Sequence, residues 1–548
     1  MALKEKQIAL FGSWKSPISA ALVAESSNVY SEPKIAADGS VFFLEMRPSE
    51  KGRYVIIRAS PGAQVEDVIP PEFNARDRVH EYGGAAYAIS PDGSTVYFSN
   101  FADQRIYRIK KGSRATAVTT SSDVFYADYA VDVKRNQLIC VQEDHRVAGE
   151  AVNSIVAIDL GAPGKVSVLV SGNDFYSSPR LSPDGTKLTW LTWNHPSLPF
   201  FGSELWTADI SSTRTLSNQK KIAGSTDESI AEPRWSPGGI LYFVSDRSNW
   251  WNIYRFANGS VEIIHQMAAE FAGPHWIFGY SSYAFLSEAE IICEYSKDGF
   301  SHLALIDTAT KTMTDLKNPF SAIRYVASNG EIIVVMGGSS TEPAQVYSYS
   351  RSTTNFERIY PNKESKLVQA SYLSLPAPIE YPTEENRTAH ALFYAPKNED
   401  FEGPKGSLPP LIVFTHGGPT GQTDSELDLG IQYWTSRGFA VVDVNYGGST
   451  GYGREYRMRL DGKWGVVDVD DCVNAALYLV DMKIVNRDML IIRGGSAGGY
   501  TTLSALAFRN VFNAGASYYG ISDLDVFTKD THKFESRYGD FLIGPYPE

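Results

Sequence analysis

Residues 493–500 read Arg493-Gly494-Gly495-Ser496-Ala497-Gly498-Gly499-Tyr500, and their neighbours give the octet its meaning. The run MLII precedes it as a buried strand, and TTLSALAF follows it with helical periodicity. The core is G-x-S-x-G, the pattern of a sharp strand-to-helix turn that lifts a serine hydroxyl above a sheet. Small residues on both sides let the backbone turn without a clash. The octet therefore predicts a nucleophilic Ser496 and, with it, an α/β-hydrolase sheet.

Strand-like and helix-like runs alternate on both sides of this turn after about residue 360. PLIVFTHGG, a helix-like stretch near GIQYWTSRG, AVVDVNYGG and the amphipathic DVDDCVNAALYLVDM precede it, and AGASYYG follows. Such alternation predicts a mostly parallel sheet covered by helices. Thr415-His416-Gly417-Gly418-Pro419 closes the strand PLIVF. A tetrahedral intermediate needs main-chain N–H groups facing its oxyanion. The N–H of Ala497 and that of Gly418 are the expected pair. His416 precedes the serine within this loop, so an orienting role is expected rather than that of general base. Asn445-Tyr446-Gly447-Gly448-Ser449 ends another strand, where pockets form in such sheets, so Tyr446 is expected at the substrate. Tyr518 and Tyr519 are expected in the pocket wall.

The first 360 residues follow another rule. Turn signals such as Ala37-Asp38-Gly39, Ser90-Pro91-Asp92-Gly93, Ser182-Pro183-Asp184-Gly185 and Ser328-Asn329-Gly330 each precede a pair of apolar strands. Asp-Gly and Asn-Gly supply the positive φ of tight hairpins. Seven such units recur at roughly 43–54 residues, the period of propeller blades, and the 31 tyrosines suit a β-rich region. The expected organisation is a lead-in over 1–29, a seven-bladed β-propeller over 30–360, and an α/β-hydrolase domain over 361–548.

Composition narrows the class further. Net charge is −13, which speaks against a nucleic-acid partner or an anionic membrane surface. Three scattered cysteines, Cys140, Cys293 and Cys472, build neither a disulfide framework nor a metal site. No secretory signal or membrane-length apolar run is legible, so a cytoplasmic setting is expected, with no metal or organic cofactor.

The combination of HGGPT, NYGGSTGYGR, WGVVDVDDC and GGSAGGY resembles the prolyl oligopeptidase family of serine peptidases. It is most similar to the acylaminoacyl-peptidase and dipeptidyl-peptidase branch. GSWKSPI, RVHEYGG, VSDRSNWWNIYR and GPHWIFG extend the resemblance over nearly the whole chain. It implies a propeller gating a hydrolase domain, peptide substrates, and acyl transfer through Ser496. It also implies a triad in the order Ser, Asp, His, carried on later strands. Only 52 residues follow Ser496. Asp523, Asp525 and His532 occur among them in the right order, but in one helix-like stretch that is expected to wall the pocket. The last two strands of the sheet, with the acid and base, are therefore expected to be missing, and the chain as written to be inactive and poorly soluble. Glu81, in RVHEYGG, is a candidate for a substrate amine or a plain blade-edge charge; Arg234 and Arg247 read as exposed propeller charges. A carboxylesterase and a catalytically dead propeller-based binding protein are the competing readings.

Overall fold

The computed structural model describes residues 5–25, 28–361 and 368–547. Parts of the lead-in, residues 1–4 and 26–27, and the terminal Glu548 lie outside the described residues. Seven four-stranded antiparallel sheets, each built from consecutive strands, run from Val29–Ile35 to Asn355–Tyr360. These are the seven blades of a β-propeller, followed by an α/β-hydrolase sheet. The turn signals do the expected work. Gly93 has φ 68°, and a Cβ there would come 2.7 Å from that of Ala36, so the hairpin packs too closely for any side chain.

The blades are also stitched at their inner strands by a device the turn pattern does not reveal. Glu32, Asp128 and Glu232 sit at bulges with positive φ, in the first, third and fifth blades. Each carboxylate reaches the next blade and accepts a backbone N–H, from Ala85, Ser178 and Ser282 at 2.6–2.8 Å. A buried carboxylate thus satisfies a main-chain donor at or just before the first strand of the next blade.

The second sheet has strands β1 (Ala377–Thr383), β2 (Arg387–Tyr394), β3 (Leu411–Thr415), β4 (Ala440–Asn445), β5 (Leu490–Gly495) and β6 (Ala514–Tyr518). Their order is β1-β2-β4-β3-β5-β6, antiparallel across β1, β2 and β4 and parallel from β4 to β6. Central strands such as β3 are apolar on both faces, because helices cover both sides. Helix α1 spans Leu429–Thr435, and α2 spans Val467–Asp481. α2 buries Val469, Cys472, Ala476 and Leu479, a 3–4-residue stripe, and carries Asp468 and Asp470 in its first turn. Helices α3 (Ala497–Phe508), α4 (Leu524–Asp530) and α5 (Tyr538–Leu542) complete the layer. The lead-in joins this domain rather than the propeller: Gln7–Ile8 pairs with Phe401–Glu402, and Trp14 and Ile18 are buried. Among the described residues no helix is long and apolar enough to cross a membrane.

Candidate active site

Ser496 stands between β5 and α3 at φ 54°, ψ −123°, a conformation that costs a non-glycine residue on the order of 1–3 kcal/mol. The surroundings hold it there. Its N–H donates to Tyr518 O on β6, and its carbonyl accepts the N–H groups of Gly499 and Tyr500 in the first turn of α3. The flanking glycines are required by contact: a Cβ on Gly498 would lie 2.3 Å from Thr415 O, and one on Gly494 2.5 Å from Gly498 O. This close approach lets Thr415 Oγ1 donate to Gly498 O at 2.9 Å, tying the end of β3 to the elbow.

The loop after β3 lies against the serine, so that a Cβ on Gly417 would be 3.5 Å from Ser496 Cβ. His416 fixes this loop from beneath. Burial lowers its pKa to about 4, so the ring is neutral. Gly417 O can only accept, so Nδ1–H donates to it at 2.8 Å, and Nε2 then accepts from the Ser449 hydroxyl at 2.7 Å. Both ring nitrogens are engaged. Tyr446 stacks on the ring with centroids 4.4 Å apart, and its hydroxyl donates to His416 O at 2.9 Å. Further along, Trp276 Nε1 of the propeller donates to Thr420 O, and Tyr538 Oη accepts the Thr420 N–H. The loop is thus held from both domains.

Two N–H groups remain unused. Ala497 occupies the first position of α3, where no intrahelical acceptor exists, at the positive end of the helix dipole. The Gly418 N–H makes no hydrogen bond among the described residues; this glycine has φ 125°. Ser496, Gly417 and Gly418 open on one cavity of about 490 Å³ between the domains. Tyr82 and Trp276 of the propeller face Trp464, Phe527, Glu535 and Tyr538 across it.

Comparison with known proteins places the fold. The model of the prolyl oligopeptidase family matches residues 425–548. A puromycin-hydrolysing peptidase of Mycobacterium tuberculosis superposes with a TM-score of 0.93 at 39% identity, over 98% of this chain and 84% of that one. The chain belongs to the prolyl oligopeptidase family. Dipeptidyl aminopeptidase BIII of Pseudoxanthomonas mexicana is 30% identical over 199 residues, 35% of this chain and 28% of that protein. An acylamino-acid-releasing enzyme of Arabidopsis thaliana is 34% identical over 145 residues, 25% of this chain and 18% of that protein. The matched stretches therefore span less than two thirds of these two relatives.

Within this prolyl oligopeptidase-family site, several expected residues stand elsewhere. Tyr446 is fully buried against His416, so it supports the loop after β3 and does not line the cavity. Tyr518 and Tyr519, expected in the wall, are 43% and 86% exposed at the β6 edge and do not line the cavity. Strand alternation aims Tyr518 at Arg493, 4.7 Å from its ring centroid. Ile521, Phe527 and Tyr538 form that wall instead. Asp523 caps α4 through the Val526 N–H, Asp525 pairs with Lys529, and His532 lies against the Tyr82 ring. None of the three touches Ser496. Glu81 is solvent-facing and paired with Arg78 at 2.7 Å. Arg234, read as exposed, faces the propeller axis beside Glu232, whereas Arg247 pairs with Glu228.

Sequence reading overlooked Tyr82, Trp276 and Glu535. The first two lie in RVHEYGG and GPHWIFG, glycine-flanked aromatic segments outside the blade strands, and that irregularity was the available signal.

Proposed function

We propose that the protein is a serine peptidase acting on short peptides, with Ser496 as nucleophile. The observation that carries this reading is a strained serine sharing one interdomain cavity with Gly418, whose N–H is unused, next to the unused Ala497 N–H at the head of α3. Ser496 Oγ attacks the scissile carbonyl carbon, and its proton passes to a base. The Gly418 and Ala497 N–H groups hold the oxyanion. The C–N bond then breaks as the proton moves to the leaving amine, and water hydrolyses the acyl-enzyme. The cavity is bounded by both domains, which favours short, flexible peptides over folded chains.

Proton transfer needs a histidine within hydrogen-bond reach of Oγ. Among the described residues none meets it, and both nitrogens of His416 are committed. We assign this step to a histidine that is not among the described residues, oriented by an aspartate. Loss of such a base costs on the order of 10⁶ in rate, whereas one oxyanion donor contributes about 3–4 kcal/mol. The 548 residues are thus expected to hydrolyse an aminoacyl-nitroanilide about 10⁶-fold more slowly than a serine peptidase with its base in place. Rapid turnover by the 548 residues that Ser496→Ala abolishes would refute the assignment of the base.

A further inference from the structure

Glu535 is the one carboxylate lining the cavity that holds Ser496, among the described residues. Its side chain is only 12% exposed. Its surroundings do not neutralise it. Tyr82 Oη donates to Oε1, the Thr531 hydroxyl to Oε2 at 3.4 Å, and the nearest basic group is His532 Nε2 at 3.7 Å. No Lys or Arg among the described residues makes an ion pair with it: Lys533 turns away to Ala151 O and Asp174 O, and Arg537 pairs with Asp540. A charge held in a largely desolvated wall is costly unless a counter-charge meets it. The cavity is also lined by Trp276, Trp464, Ile521, Phe527 and Leu542, which suits an apolar side chain.

We infer that Glu535, positioned by Tyr82, binds the protonated α-amino group of the substrate. The site therefore selects peptides and amides with a free N-terminus and a large apolar side chain over N-acylated ones. This rests on the peptidase reading above, and it separates aminoacyl or dipeptidyl release from acylaminoacyl release. Free α-amino groups titrate near pH 8, so the ligand is largely cationic at neutral pH. An N-acyl cap removes the charge and leaves one N–H donor of three. It places a carbonyl oxygen against a carboxylate that can only accept. Glu81, the acid that the sequence offered for this role, has its own arginine and lies outside the cavity lining.

The test is equilibrium binding, which needs no turnover. The product of the complete reading frame, carrying Ser496→Ala, is titrated with L-phenylalaninamide and with N-acetyl-L-phenylalaninamide. The readout is the fluorescence of Trp276 and Trp464, which line the cavity. The free amine is expected to bind about 30-fold more tightly, the scale of a hydrogen-bonded charge pair. Glu535→Gln is expected to erase that preference while leaving the N-acetyl affinity unchanged. Glu535→Asp, which keeps the charge, restores part of it. Equal affinities in the parent would overturn the inference, as would a Glu535→Gln loss of the same factor for both ligands. Fluorophosphonate labelling of the same protein with both Ser496 and Glu535 intact reports separately on the nucleophile. Absent labelling with amine selectivity retained would sink the serine reading and spare Glu535. Normal labelling without selectivity would do the reverse.

Discussion

At the scale of single residues, the site depends on fixing one loop. His416 is held neutral by burial and spends Nδ1 on that loop and Nε2 on Ser449 of the loop after β4, so it adds no titration to a pH–rate profile between pH 5 and 8. Ser449→Ala removes the donor to Nε2 and leaves a buried acceptor without a partner. We expect a loss of about 1–3 kcal/mol in urea unfolding and weaker oxyanion binding. A variant as stable and as active as the parent would show that His416 does not orient the loop. The elbow itself was legible in the octet around Ser496, because close backbone approach permits only glycine, and glycine is visible in a sequence. Tyr446 was misread because its place at the end of a strand fixes the chain and not the direction of the ring. Glu535 was illegible for a different reason. Its partner Tyr82 is 453 residues away, and only the docking of two domains makes the pair.

At the scale of elements, β6 and α3 present an open apolar face. Among the described residues β6 pairs with β5 alone, and Phe508 on α3 is 75% exposed, with Leu503 and Leu506 near 40% beside it. Unpaired strand edges beside apolar surface favour chain-to-chain association. The 548 residues are expected to form concentration-dependent oligomers in light scattering. The double change Leu506→Glu and Phe508→Glu should raise the onset concentration about tenfold. Oligomers unaffected by both charges would place the association elsewhere. The blades were readable from hairpin turns because each turn is local. The inner-strand carboxylates Glu32, Asp128 and Glu232 were not, since their acceptors' partners lie on the next blade, about 50 residues on.

At the scale of the molecule, a buried charge cluster joins the two domains. Asp246 of the propeller accepts from both Arg454 and Arg457 of the hydrolase domain, and the Arg457 guanidinium lies 4.1 Å from the Trp251 ring centroid. Removing one partner strands a buried charge, so Asp246→Ala should cost about 3–5 kcal/mol in chemical unfolding. A loss under 1 kcal/mol would show that the pair is not closed in solution. Glu270 accepts N–H groups from both domains, from Trp251 and Gly453, and burial raises its carboxyl to about 7 from an ordinary 4.5. The folded state then binds the proton more tightly than the unfolded chain. This group's contribution is complete below pH 4.5 and falls away as pH rises through 7. Glu270→Gln is expected to flatten the stability profile across that window, and an unchanged slope would assign it to other buried acids. Phe534 completes the joint, 3% exposed in the propeller wall and stacked on His80. The segment that places Glu535 in the cavity is therefore anchored by its own neighbour.

The central claim is that Ser496 is a nucleophile facing two free main-chain donors. It is tested most directly by treating the product of the complete natural reading frame with a fluorophosphonate and locating the adduct by peptide mass spectrometry. A single phosphonylated residue, Ser496, with no adduct after Ser496→Ala, is the predicted result. An unlabelled Ser496, or an adduct on another serine that survives the substitution, would contradict it.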